Sequence, residues 1–240
     1  MLARPQLPML SGSFLRTGFR NMSIDLELAR QNMVTNQVRP WEVLDANVLD
    51  ALAAVPREEF VPSGYRNLAF ADIALPLGHG ETMMKPVVEG RMLQALELTK
   101  SDGVLEIGTG SGFITACLAR LAGEVVSVDM HADFVEAARA RLATLGIGNA
   151  GVAVAEAVQG YEPNRQFDAI AVTGAVYALP ERFRRWLKPG GRLFVVRGES
   201  PVMQAVLMRH EADGRFSEEI LFETDLTYLA NAAPPKRFVL

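Results

Sequence analysis

Hydrophobic positions follow a helical period in the first part of the chain. Helices are predicted in "SIDLELARQNMVTNQV", "DANVLDALAAV" and "PVVEGRMLQALEL". Asp45 is a suitable N-cap for the second helix, and Pro86 suits the first turn of the third. The stretch between these two helices contains Pro62 and Pro76, so we predict an irregular segment. Its apolar anchors are expected to be Phe60, Val61, Tyr65 and Phe70.

From Asp102 onward, short apolar runs alternate with helical patterns. Strands are predicted in "GVLEIG", "EVVSVD", "GVAVA", "FDAIAVTG" and "GRLFVVRG", and helices in "SGFITACLARLA", "HADFVEAARARLATLG" and "ALPERFRRWLK". This alternation predicts a parallel sheet with helices on both faces. The runs "MQAVLMRH" and "FSEEILFET" meet through Asp213-Gly214, which predicts a closing antiparallel hairpin. We therefore predict a doubly wound, mostly parallel, Rossmann-like α/β fold with N-terminal helices.

Composition narrows the class of protein. The 240 residues carry a formal net charge of −4 and no basic block, which disfavours a nucleic-acid-binding protein. Cys117 is the only cysteine, so no internal disulfide is possible and a cytoplasmic location is expected. No apolar run approaches the ~20 residues of a membrane helix. The oligomeric state is left open.

The chain divides into three parts. Residues 1–21 contain three arginines and no acid, as transit peptides do, although we favour a flexible extension before an internal start at Met22. Residues 22–100 form a helical portion that is expected to pack on the sheet. Residues 101–240 form the α/β domain.

The strongest motif is the glycine loop "VLEIGTGSGF", which follows a predicted strand and precedes a predicted helix. Glycine allows positive φ and close backbone approach to a ligand, and the helix N-terminus offers free N–H groups. A dinucleotide fingerprint has glycine at its sixth position, where this loop has Phe113. No Gly-Lys-Ser/Thr follows the loop, so a P-loop is excluded. A tight turn that binds no ligand is the alternative interpretation.

Three acids accompany this loop. Asp129 closes the next strand and can accept both hydroxyls of a ribose, or it can cap the helix that follows. Glu156 closes the third strand. It either accepts a hydrogen bond from the amine of a purine ring or is a solvated residue at the end of the strand. Glu106 can brace the loop or meet a positive ligand group. Three acids around the loop disfavour the binding of a pyrophosphate and favour a cationic nucleoside such as S-adenosylmethionine. The residues predicted to contact this cofactor are Glu106, Gly108, Thr109, Gly110, Ser111, Gly112, Asp129, Met130, Glu156, Ala157 and Thr173.

Other reactive side chains receive structural interpretations. Cys117 lies inside a predicted helix and is expected to be a small core residue rather than a nucleophile. His79, between two glycines, is expected to be a turn residue. His79, His131 and His210 are dispersed and show no metal-ligand spacing, so no metal site is predicted.

With the glycine loop and Asp129, the chain resembles class I S-adenosylmethionine-dependent methyltransferases. Further segments, "NMVTNQVR", "VPREEFVP", "YRNLAFADIALPLGHGETMMKP", "FDAIAVTGA" and "LKPGGRLFV", resemble the protein-L-isoaspartate O-methyltransferases. The resemblance spans Met33 to Tyr228. It implies that the chain methylates the abnormal carboxylate of isoaspartyl residues in aged proteins or peptides.

The acceptor motif departs from that family, whose pattern is roughly Gly-x-Thr-Ile-Ser-x-Pro. Thr82 and Pro86 match it, while Met83 replaces the isoleucine and Met84 replaces a serine implicated at the active centre. We hypothesise that Thr82 and Lys85 hold the acceptor carboxylate and that the methionines form an apolar wall. Alternatively, the methionines fill the core and Lys85 is solvated.

Two other functions stay open: transfer to a different acceptor, and cofactor binding without turnover. The segment "VTGAVY" lacks the Asn/Asp-Pro-Pro-aromatic motif that base and amine methyltransferases often carry. The small residues Thr173, Gly174 and Ala175 would let a peptide approach, or they reflect close packing between a strand and a loop.

Overall fold

A computed structural model describes residues 25–235, and the predicted N-terminal extension lies outside them. The first part of the described chain contains three helices and one short hairpin, namely α1 (Leu26–Met33), α2 (Ala46–Ala54), β1 (Leu75–Gly78), β2 (Glu81–Met83) and α3 (Pro86–Ala95). α1 continues through a π-helical turn, Val34–Val38, and a 3₁₀ turn, Arg39–Trp41. The three predicted helices are therefore confirmed.

Capping fixes where α2 begins. The Asp45 carboxylate accepts hydrogen bonds from the backbone N–H groups of Asn47 at 2.7 Å and Val48 at 3.3 Å. These bonds satisfy N–H groups that have no partner within the helix. The predicted N-cap is thus confirmed.

The irregular segment after α2 contains two 3₁₀ turns, Arg57–Glu59 and Ser63–Leu68. Phe60, Val61 and Phe70 are buried as predicted, but Tyr65 is 37% exposed. The prediction that Tyr65 anchors this segment is wrong, because it lies on a 3₁₀ turn that buries none of its residues.

The second part of the chain forms one seven-stranded sheet with three helices. In chain order its elements are β3 (Gly103–Ile107), α4 (Phe113–Leu121), β4 (Glu124–Asp129), α5 (Ala132–Thr144), β5 (Ala150–Val154), β6 (Phe167–Val176), α6 (Glu181–Arg185), β7 (Leu187–Glu199), β8 (Val202–His210) and β9 (Phe216–Thr224).

The strand order is β5-β4-β3-β6-β7-β8-β9. Pairing is parallel from β5 to β7, and β8 pairs antiparallel with both β7 and β9. Gly214, with φ of +82°, lies between β8 and β9, where the hairpin turn was predicted. The order reverses between β3 and β6, and ligands of doubly wound sheets bind beside such a reversal. The predicted fold class is confirmed.

Side chains of the central strands alternate between two buried clusters. Val104 belongs to the cluster shared with α2, α3 and α4, whereas Leu105 and Ile107 belong to the cluster shared with Phe183 of α6. The N-terminal helices therefore pack against the sheet as part of its core. Among the described residues, no helix is both long and apolar enough to cross a membrane.

Candidate active site

The glycine loop lies between β3 and α4, with φ of +99° at Gly108 and +85° at Gly112. A Cβ at Gly108 would lie 2.5 Å from Thr173 Oγ1, and one at Gly112 would lie 2.9 Å from Ala138 Cβ. Thr173 Oγ1 donates to the backbone carbonyl of Gly108 or to that of Ile107. Any larger residue at Gly108 would therefore displace this contact and distort the loop.

A cleft opens beside this loop, at the carboxyl ends of β3, β4 and β6. Of the predicted cofactor contacts, it is lined by Gly108, Gly110, Asp129, Met130, Glu156, Ala157 and Thr173. A smaller recess adjoins it and is lined by other predicted contacts, Glu106, Thr109 and Ser111. Gly112 lines neither and begins α4.

Asp129 connects the loop to the end of β4. Its carboxylate accepts from the N–H of Gly110 at 2.8 Å through one oxygen and from the N–H of His131 at 2.9 Å through the other. A carboxylate has about four lone-pair sites, so acceptor capacity remains for two ligand hydroxyls. Asp129 therefore lines the cleft and holds the loop before α5, but the interpretation that it caps this helix is wrong, because the N-cap position is His131 and the helix has no side-chain cap.

Glu106 is fully buried on the face of the sheet that α4 covers. One carboxyl oxygen accepts from the hydroxyls of Thr115 and Ser127, the latter at 2.6 Å. The other oxygen is buried and has no hydrogen-bond partner among the described residues. Burial raises the pKa of Glu106 to about 8, although the two hydroxyl bonds oppose that rise. An unpaired carboxyl oxygen at the recess fits a cationic group of a ligand.

Glu156 lies beyond its strand, because β5 ends at Val154 and not at the predicted position. Its carboxylate accepts from the backbone N–H groups of Val158 at 3.0 Å, Gln159 at 2.7 Å and Gly160 at 3.1 Å. The side chain thus caps the turn that follows β5. Its contact with a purine amine stays a prediction.

The acceptor motif forms the opposite wall of the cleft. Thr82 and Met84 line it, and the Thr82 hydroxyl lies 2.8 Å from the hydroxyl of Thr227. Met83 and Met84 are each 4% exposed and belong to the core. Met84 therefore combines both interpretations, as core residue and as wall. Lys85 does not line the cleft but a separate depression beside Asp72 and Arg91.

Sequence reasoning missed the residue that holds Met84 in place. Arg57 is fully buried and donates to the backbone carbonyls of Met84 at 2.8 Å and Ala69 at 2.7 Å. Its guanidinium pairs with Glu89, which is 1% exposed, and lies 4.7 Å from the ring centre of Phe113. Burial raises the pKa of Glu89, with Arg57 opposing the rise. Glu89 gave a signal, because it interrupts the apolar start of α3, whereas Arg57 begins the charged run "REE" and gave none.

The segment after β9 was also missed. Leu226, Thr227 and Leu229 line the cleft, and a backbone bond from Ala175 N to Thr227 O, at 2.8 Å, holds the segment beside β6. A Cβ at Gly174 would lie 2.8 Å from Leu229 Cδ2. Close packing is therefore the interpretation that the structure favours for the small residues at this position.

The remaining reactive residues are Cys117 and the histidines. Cys117 is fully buried in α4 and burial raises the pKa of its thiol, so it is a core residue as predicted. His79 occupies a turn with φ of +54°, also as predicted. However, its ring stacks on that of His131, with ring centres 4.1 Å apart. The two histidines, dispersed in the sequence, are therefore neighbours in space, because the β1–β2 hairpin packs onto the start of α5.

Comparisons with known proteins agree with this geometry. The family model described as Protein-L-isoaspartate(D-aspartate) O-methyltransferase (PCMT) matches residues 29–230. Protein-L-isoaspartate O-methyltransferase 1 of Rhodopseudomonas palustris is 39% identical over 178 residues, which is 74% of this chain and 73% of the relative. Protein-L-isoaspartate O-methyltransferase of Synechococcus is 38% identical over 88% of this chain and 84% of the relative.

Solved structures resemble the fold. A putative protein-L-isoaspartate O-methyltransferase from Plasmodium falciparum, in complex with S-adenosyl-L-homocysteine, superposes with a TM-score of 0.73 at 19% identity. That match covers 83% of this chain and 97% of the other. A second structure, a protein-L-isoaspartate O-methyltransferase, has a TM-score of 0.73 at 26% identity and covers 85% of this chain and 66% of the other.

Proposed function

Because the chain belongs to the protein-L-isoaspartate(D-aspartate) O-methyltransferase family, we propose that it methylates isoaspartyl carboxylates in damaged proteins, a step in protein repair. S-adenosylmethionine is the methyl donor of this family. The observation that carries the proposal is the family match together with Glu106, a buried carboxyl beside the glycine loop, one oxygen of which has no hydrogen-bond partner among the described residues.

The donor's binding residues are assigned by chemistry. S-adenosylmethionine, when bound, supplies a methyl group that its sulfonium has already activated. Asp129 would accept from the ribose hydroxyls, and Glu106 would meet the ammonium of the amino-acid portion. Gly108 and Gly110 would let the loop backbone approach the ligand. Glu156 and Ala157 would lie against the base.

The acceptor side needs no general base. An isoaspartyl carboxylate, with a reference pKa near 4, is ionised at neutral pH. This chain therefore has to align the acceptor and exclude water, which together can contribute ~7–11 kcal/mol. The apolar wall that includes Leu77, Met84 and Leu226 suits the exclusion of water.

Thr82 and Thr227 suit the alignment. Their hydroxyl oxygens are 2.8 Å apart, so one hydrogen lies between them. The other hydroxyl hydrogen is then available to donate to an acceptor carboxylate. We infer that this pair takes over the orienting role of the serine that Met84 replaces, whose loss alone would cost ~1–3 kcal/mol.

Matched peptides test the proposal. One peptide carries isoaspartate and its control carries aspartate at the same position, and methyl transfer from labelled S-adenosylmethionine is measured for both. We expect transfer to the isoaspartyl peptide only. Equal transfer to both peptides, or no transfer to either by protein that binds S-adenosylhomocysteine in calorimetry, would refute the proposal.

A second candidate is transfer to another acceptor, such as a small metabolite. It is favoured by one observation: of the described residues that line the cleft, none is lysine or arginine, while Glu81, Asp129 and Glu156 are acidic. Met84→Ser and Met84→Ala separate the candidates, because both truncate the side chain and only serine restores a hydroxyl. A higher kcat/KM for the isoaspartyl peptide in Met84→Ser than in Met84→Ala supports the first candidate. Equal values, with transfer to a small acceptor, support the second.

We also propose that the chain acts in the cytoplasm and on proteins rather than nucleic acids. Support comes from its single, buried cysteine and its formal net charge of −4. Fractionation of cells, with detection of the chain by antibody, tests the location. Filter binding to DNA and RNA tests the partner.

A further inference from the structure

Two histidines and an aspartate meet at the rim of the cleft. His79 lies at the tip of the β1–β2 hairpin, and His131 and Asp133 lie at the start of α5. His79 Nε2 is 2.9 Å from an Asp133 carboxylate oxygen. One nitrogen of each histidine and one oxygen of Asp133 all lie within 4.8 Å of one another.

The backbone holds these residues in place. His79 has φ of +54° and is flanked by Gly78 and Gly80, which also have positive φ. The N–H of His131 is bonded to Asp129. The Phe134 ring lies roughly perpendicular to both imidazoles, at centroid distances of 5.3 and 5.2 Å. Contacts of His79 with Asp133, His131 and Phe134 thus bring the hairpin tip to α5.

The donor set is suited to a divalent transition metal. Imidazole nitrogen and carboxylate oxygen are zinc ligands, and zinc sites that remain open have three protein ligands and a water. We propose that His79, His131 and Asp133 bind one such ion, zinc being the representative, at the rim of the cleft.

Binding requires a small local rearrangement. The imidazole planes are within 11° of parallel, and nitrogen lone pairs lie in those planes, so one ring must turn before both can point at one ion. Ligand atoms of a tetrahedral zinc site lie ~2.0–2.1 Å from the ion. They are therefore closer to one another than the 4.8 Å within which these three atoms lie, so the side chains must also move closer together. His79 and Asp133 are both exposed, which leaves them room to move.

The ion would connect the two walls of the cleft. β2 of the same hairpin carries Thr82, and α5 begins at Ala132, three residues after Asp129. An ion bound only by the folded chain stabilises it by RT ln(1 + c/Kd), where c is the concentration of free metal, so the thermal transition should rise with that concentration. This inference is independent of the proposed function, because it needs no methyl acceptor and no methyl donor.

Cobalt(II) provides the test, since four-coordinate Co²⁺ absorbs more strongly in the visible range than six-coordinate Co²⁺. Metal-free, untagged full-length protein is titrated with Co²⁺ and then with Zn²⁺ as competitor. We expect one equivalent to bind and be displaced by zinc. We expect His79→Ala and Asp133→Asn each to weaken binding by about tenfold or more. His210→Ala is the matched control, because His210 bonds to Leu187 O in a separate part of the sheet.

Two results would overturn the proposal: no cobalt absorption change at a large excess of metal, or equal affinity in the native chain and His79→Ala. Nuclear magnetic resonance gives a second, variant-free measurement, because the chain contains only three histidines. Traces of Ni²⁺ should broaden the imidazole signals of His79 and His131 and spare His210. Broadening of all three alike, or of His210 alone, contradicts the site.

Discussion

Replacement of Glu106 by glutamine gives the sharpest test of the site. The carboxyl is fully buried, and its pKa is raised from 4.5 to about 8. Between these two pH values the folded chain holds a proton that the unfolded chain has released. The free energy of unfolding therefore falls as pH rises through this range. Glutamine keeps an oxygen that can accept from Thr115 and Ser127 and does not titrate.

The size of the stability change follows from the same pKa difference. At ~1.36 kcal/mol per pH unit, the rise from 4.5 to about 8 corresponds to about 5 kcal/mol in all. Between about pH 6.0 and 7.5, the native chain should lose about 2 kcal/mol of stability relative to Glu106→Gln. All other titrating groups are common to both proteins, so their contributions to the pH dependence cancel in the comparison.

Urea denaturation of both proteins without ligand, across this pH range, measures the difference. Glu136→Gln on the exposed face of α5 is the matched control and should leave the pH dependence of the native chain unchanged. Parallel stability curves for the native chain and Glu106→Gln would refute the burial argument.

Cofactor binding supplies an independent readout of the same carboxyl. A ligand ammonium at Glu106 favours the ionised form, so S-adenosylhomocysteine should release nearly one proton on binding near pH 7. Calorimetry in buffers of different ionisation enthalpy counts this proton. The release should be absent in Glu106→Gln, whose affinity should also be lower. Equal proton release in both proteins would mean that another group meets the ammonium.

Three further predictions concern neighbouring contacts. Glu89→Gln leaves Arg57 buried without its counter-ion and should cost about 3–5 kcal/mol in urea denaturation; a cost below 1 kcal/mol would contradict the burial of this pair. Asp129→Asn places an amide N–H group opposite the backbone N–H of either Gly110 or His131 and should weaken S-adenosylhomocysteine binding about 10- to 100-fold in calorimetry; unchanged affinity would remove Asp129 from the site. Replacing Thr82 by valine, alone and with the same change at its hydroxyl partner, should give non-additive losses of kcat/KM for the isoaspartyl peptide; strict additivity would show that the two hydroxyls act separately.

The sequence predicted the elements whose signals are local. The strands of the large sheet each have five or more residues, and Asp45 caps α2 through bonds to the residues that follow it. The glycine loop and Asp129 were likewise found, because a strand end and a turn need only short-range patterns. The β1–β2 hairpin was missed, since its strands have only four and three residues and one of them includes Pro76.

Contacts between distant segments could not be predicted in this way. Arg57 reaches Met84 across 27 positions, and His79 meets Asp133 across 54. Thr82 meets Thr227 across 145 positions. Each pair depends on how the hairpin packs on the sheet, and a single sequence carries no periodic signal for that packing.

The acceptor motif separates what the fold requires from what can vary. Arg57 binds Met84 through its backbone carbonyl, a group that every residue type has, so this contact does not depend on the side chain at position 84. The side chain itself lines the cleft. Substitution there can alter which acceptor is aligned while the wall stays in place. Arg57 and Glu89 lack this freedom, because either one alone would be a buried charge without a partner. The departure at Met84 is therefore compatible with the family's fold.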